Sequence, residues 1–160
     1  MSLSVQIQSK VTTTETLTGD DLNANSTLLH NGYDVDRTVT GDTTPNATKA
    51  AYQTFTLTDG AATVDLTSLL LNGSAVTFDG LNPRAIHIKN TGAASMTFAK
   101  GASNGFTGLG ASFSLTLPAG AGVLVDWPSD NATAVSSTVK TIDVTGTGTD
   151  TFQLSAVAGT

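Results

Sequence analysis

Two histidines, His30 and His87, and no cysteine leave this chain few side chains for acid–base, nucleophilic or metal chemistry near neutral pH. His30 lies close to Asp34 and Asp36, and with one of the many serines it could be drawn as a hydrolase triad. No Gly-x-Ser-x-Gly elbow leads into a helix, so the drawing has no frame to hold it. His87 stands between Ile86 and Ile88, where strand alternation turns its ring to the face opposite the core. Asp20, Asp21, Asp34, Asp36 and Asp42 gather in one segment, and such oxygen ligands suit Ca²⁺. The twelve-residue loop with alternating acids and a terminal Glu is missing, so they read as solvated loop acids. Asp65, Asp79 and Asp126 fall at turns or strand ends, with nothing to mark two of them as facing carboxyls of a glycosidase. The expectation is no catalytic residue, no metal, no cofactor and no enzyme activity.

Trp127 follows Val123 and Val125 on one side of a strand that Pro128 closes. A sugar-stacking platform enlists several exposed aromatics. With one Trp, two Tyr and six Phe, most at core parity, packing is the favoured role for Trp127. The stretch KGASNGFTGLG has the glycines of a phosphate loop, but no Lys-Ser/Thr pair and no helix follows. A net charge of −6 with seven dispersed basic residues speaks against nucleic acid and anionic membrane as partners. The opening residues MSLSVQIQSK lack a basic region followed by an apolar core, and no apolar run approaches the ~20 residues of a membrane helix. A soluble protein made in a cytoplasm is expected.

The elements that must carry these residues are strands. Thr, at 29 residues, is the commonest type; it is β-branched and suits a half-exposed pleated surface, while Glu occurs once, at Glu15. After Arg84 the runs RAIHIKN, SMTFAK, SFSLTLP, GVLVDW, TIDV and TFQLSAV alternate apolar and polar residues and are too short for helices. Turns are signalled at Asp59-Gly60, Asn72-Gly73, Asp79-Gly80, Asn82-Pro83, Thr91-Gly92, residues 118–122, 128–131 and 146–148. LTDGAATVDL reads as a hairpin around Asp59 and Gly60, and TGTGTDT as a flexible hairpin tip. Eight or nine strands after Ala50 and one before it predict an all-β, antiparallel two-sheet sandwich of jelly-roll type. The inward set includes Phe55, Leu57, Val64, Leu66, Val76, Phe78, Ile86, Ile88, Met96 and Phe98. It continues through Phe113, Leu115, Leu117, Val123, Val125, Ile142, Val144, Phe152 and Leu154.

The first third is patterned differently. Leu3, Val5 and Ile7 alternate with Ser4, Gln6 and Gln8 as a strand or arm does. About forty residues rich in Thr, Asn and Asp follow, with sparse apolar positions at Leu22, Leu28, Leu29, Tyr33 and Val35, an unusual length for a coreless loop in a compact domain. The chain therefore divides into an N-terminal strand with an extended arm, residues 1–49, and a sandwich body, residues 50–160. Leu3, Val5 and Ile7 could add to another chain's sheet edge. Leu28, Leu29 and Tyr33 could pack on a neighbouring subunit, and Trp127 is the remaining candidate contact.

The succession IHI, GASNG, LPAG and DVTGTG over residues 84–159 resembles small β-rich virion proteins of tailed bacteriophages and their prophage relatives. The resemblance implies a structural protein on the outer capsid surface of a virion, a capsid decoration or cement subunit, typically a homo-trimer. It implies the phage major capsid protein as partner and carries over no catalytic residue. The alternative reading is a tail- or fibre-associated, or surface, carbohydrate-binding sandwich module. An exposed aromatic patch around Trp127 or Tyr33 would favour it.

Overall fold

The computed structural model describes residues 3–16, 27–129 and 132–160, with the side chains of residues 14–16 and 27–33 outside that description. Among the described residues there is no helix. Twelve strands follow one another: β1 (Ser4–Thr16), β2 (Thr27–Thr40), β3 (Lys49–Thr56), β4 (Ala61–Asp65), β5 (Leu69–Leu71), β6 (Ser74–Val76), β7 (Asn82–Asn90), β8 (Met96–Lys100), β9 (Ser114–Leu117), β10 (Gly122–Asp126), β11 (Thr141–Thr145) and β12 (Thr151–Gly159). They form three sheets, ordered β1-β2, β10-β7-β12-β3-β5-β6 and β4-β11-β8-β9. Residues 6–38 form one compact unit, and the described residues before and after them form the other.

In the larger unit the two bigger sheets share one core, an arrangement compatible with a β-sandwich. Ile86, Ile88, Phe152 and Leu154 come from the six-stranded sheet and Val64, Met96, Phe98, Ile142 and Val144 from the four-stranded one, all buried together. The alternation read from the sequence puts them there, since period two sends every second side chain inward. Phe152 stacks on Phe55 at 5.0 Å within its own sheet and meets Phe98 edge-on at 5.3 Å across the core. Phe106, absent from the inward set, is fully buried. It belongs to the loop between β8 and β9, where no strand period announces it.

Four expectations need correcting. Asp59 and Gly60 both have positive φ, as the Asp-Gly turn requires, but β3 and β4 do not pair as a hairpin. The turn is a corner that delivers the chain to the opposite sheet, because β3 is already flanked by β12 and β5. The Thr-Gly run from Thr145 is likewise a corner, from β11 to β12, and it is pinned rather than flexible. Gly60 N donates to Gly148 O, Gly146 N to Gly60 O and Leu57 N to Asp150 O, so the two crossings run side by side. Third, the body is not wholly antiparallel, since β3 and β5 pair in parallel at Tyr52 and Leu71. Fourth, the long N-terminal segment is no coreless loop: β1 and β2 pair into a ribbon, and only residues 17–26 of it lie outside the description, Asp20, Asp21 and Leu22 among them.

Pro83 does not end its run either. It sits inside β7, where Val157 faces Ala85 and Ala158 faces Pro83, so Arg84 is the extra residue of a β-bulge. A proline has no N–H for the ladder, and a bulge is where a strand tolerates one. The Gly-rich loop after β8 is a packed structural loop. A Cβ at Gly101 or Gly105 would collide with Thr141 or with the Gly101 carbonyl, and one at Gly108 with the Phe106 ring.

Candidate interaction surface

The sequence-predicted contact residues are dispersed between the two units. Leu3 and Val5 are half-buried and Ile7 is buried. Leu28, Leu29 and Tyr33 lie in β2, with side chains outside the described residues, as is that of His30. Trp127 is half-buried and packs against the core, and its main-chain N–H donates to Arg84 O.

The β1–β2 ribbon has two unlike faces. On one, Asp36 accepts from Gln6 Nε2 at 3.0 Å and from Gln8 Nε2 at 3.2 Å, and Lys10 Nζ lies 3.4 Å from Asp34. Each of these exposed contacts contributes little alone, but together they hold the register of the pair. The other face carries Val5, Ile7 and Val11 from β1 and Val35, Arg37 and Val39 from β2, by the same alternation. Ile7 and Val39 are buried, whereas Val11 is 59 % exposed. A two-stranded ribbon is at best marginal in water without a surface to pack on.

On the body, the outer face of the six-stranded sheet presents a row in register: Leu124, His87, Ser155 and Tyr52. His87 points away from the core, as its parity predicts. Tyr52, between Ser155 and Leu71, is 47 % exposed, and strand alternation by itself does not mark it out. Among the described residues no three His, Asp or Glu side chains gather as metal ligands. Asp126 and Asp79 remain apart from Asp65 on different turns and strands.

Asp65 has a structural task. It accepts from Lys140 Nζ at 2.6 Å, Thr67 Oγ1 at 2.6 Å and Thr67 N at 2.8 Å, tying the end of β4 to the approach to β11. Partial burial opposes its ionisation, but the Lys140 and Thr67 hydrogen bonds and the ammonium charge outweigh this and hold its pKa below the ordinary 3.8. Because the folded value lies below the unfolded one, the stabilisation is complete at neutral pH. It is lost as the pH falls from about 4 through the lowered pKa, and it amounts to ~1 kcal/mol or less after solvent screening. Unfolding free energies between about pH 2 and 6 should therefore fall more steeply for the natural chain than for Asp65→Asn. Parallel curves would remove this role.

No family model matches the chain, and no curated protein matches it in sequence.

Proposed function

We propose that this chain is a structural virion protein, a capsid decoration or cement subunit that binds the major capsid protein on the outside of a phage head as a homo-trimer. No catalytic step belongs to this reading. The observation that carries it is the ribbon, whose polar face is internally locked and whose opposite face exposes Val11. An extended arm that leaves Val11 uncovered gains a partner surface there on assembly, and closed rotational symmetry repeats that contact around an axis. The body fits a jelly-roll class because two pairs of strands, β3–β4 and β11–β12, cross together from one sheet to the other. The resemblance of residues 84–159 to phage virion proteins supplies the partner.

The test shortens the ribbon and spares its base. Lys10 and Asp34 face each other, so replacing residues 11–33 by Asn-Gly closes the ribbon above that pair. Residues 39–48 must stay, since Ala47 is buried and Thr48 N donates to Ala158 O. The expected result is a β-rich protein that is monomeric by light scattering and no longer decorates capsids. A shortened chain that still trimerises and decorates particles at full occupancy overturns the arm reading.

The glycan-binding reading is favoured by one observation, the exposed Tyr52 beside Ser155 and His87 on a flat sheet face. Glycan binding by the full chain that Tyr52→Ala abolishes, with no affinity for capsids, would establish it in place of the first.

A further inference from the structure

The two sheets do not close on each other along the side where β9 and β10 are outermost. Leu115 pairs with Phe98 and Val123 with Ile88, so all four side chains point inward. Phe98 and Ile88 are buried as that placement demands, yet Leu115 is 38 % exposed and Val123 only half-buried. Between them lies a cavity of about 120 Å³. Ile86 and Val125 extend its lining along β7 and β10, and Leu109 and Phe113, from the loop joining β8 to β9, close it.

That loop is built to hold those two residues in place. Phe106 is fully buried and anchors it, and Gly108 lies against the Phe106 ring where any side chain would collide. Gly110 then turns the chain with φ +122°, a conformation that L side chains rarely adopt. The glycines that imitate a phosphate loop in the sequence therefore shape the roof of an apolar pocket.

The lining selects its ligand. Every side chain around the cavity is apolar, so water inside it gains no hydrogen bond from the lining and is readily displaced by an apolar group. An ion or a strong hydrogen-bonding group would lose its hydration without compensation. An apolar cavity of about 150 Å³ accepts benzene or xenon, and this one, open at the sheet edge, is slightly smaller at about 120 Å³. We propose that it is a binding site for a small, uncharged, apolar molecule of single-ring size, entering between β9 and β10. This site is independent of the capsid reading and of the ribbon.

The experiment uses the full chain with labelled Ile, Leu and Val methyl groups, titrated with benzene and followed by nuclear magnetic resonance. Saturable shifts are expected at Ile88, Val123 and Leu115, with methyl groups of Val64 and Val144 unmoved and a Kd of about millimolar, in keeping with so small a ligand. Benzoate, the same ring with a charge, should bind at least tenfold more weakly. Val123→Phe and Leu115→Phe fill the cavity from opposite walls, and each should weaken benzene binding at least tenfold. Leu115 is exposed enough that its replacement leaves the core intact, so one plugged variant remains if the other misfolds. Shifts that are absent up to the solubility of benzene, or scattered over the surface, overturn the proposal. So does benzene binding unchanged in the plugged variants, or benzoate binding equal to that of benzene.

Discussion

Phe98→Ala is expected to lower the unfolding free energy by ~3–5 kcal/mol, while Phe113→Ala lowers it by only ~1–2 kcal/mol. By parity alone the two positions are equals, both inward, both with apolar neighbours two residues away. The structure separates them. Phe98 is fully buried and meets Phe152 edge-on, so its removal leaves a void that the surrounding sheets cannot collapse to fill. Phe113 is half-buried at the margin of an existing cavity, and its loss opens that margin to solvent. Urea melts of both variants decide the matter, with equal midpoint shifts at unchanged slope counting against this placement.

Arg84→Met should cost ~3–5 kcal/mol, as much as losing a core aromatic. The Arg84 side chain is fully buried, and its guanidinium donates to three main-chain oxygens from distant parts of the chain. Nε reaches Asn46 O at 2.9 Å, Nη2 reaches Thr160 O at 2.8 Å, and Nη1 lies 3.4 Å from Ser129 O. Methionine keeps much of the stem but supplies no donor, so three hydrogen bonds from a charged group are lost together, each worth ~1.5–3 kcal/mol, offset in part because the charge need no longer be buried. Arg84→Lys should recover little, because one ammonium cannot reproduce the planar fork. A loss below ~1 kcal/mol for Arg84→Met in denaturant melts would show that these oxygens find other donors. The same deletion should speed amide exchange at Thr48, whose N–H bonds Ala158 O beside this hub.

Most of the body's inward residues were legible, and so was the register of its turns. Thirteen positions of the inward set, from Leu57 and Val64 through Ile142, Phe152 and Leu154, are buried, and positive φ falls at Asp59, Gly60, Asn72, Gly73 and Gly80 where turn chemistry predicts it. Leu115 departs from the set because its sheet ends at β9 with nothing beyond it. The ribbon was only half legible. Leu3, Val5 and Ile7 announce β1, but β2 was read as irregular. Thr, Asn, Asp and Arg interrupt the apolar alternation along β2, so its period is too diluted to read as a strand.

Most strands of the body and its turn positions followed from the sequence by itself, because side-chain alternation and the φ preferences of Gly, Asn and Asp are properties of a few neighbouring residues. Which sheet each strand joins was a tertiary decision. The turn at Asp59-Gly60 is compatible with a hairpin or with a corner, and the choice depends on β12 and β11, nearly the last strands of the chain, lying beside β3 and β4. Asn90 is another such case. Its buried amide donates to Ala94 O and accepts from Gly92 N in the turn that directly follows it, and it also donates to Leu117 O at the end of β9, far along the chain. Burial of a polar group is tolerated where its hydrogen bonds are met: the local turn supplies two of these partners, and only the fold brings the third, Leu117 O, against the amide.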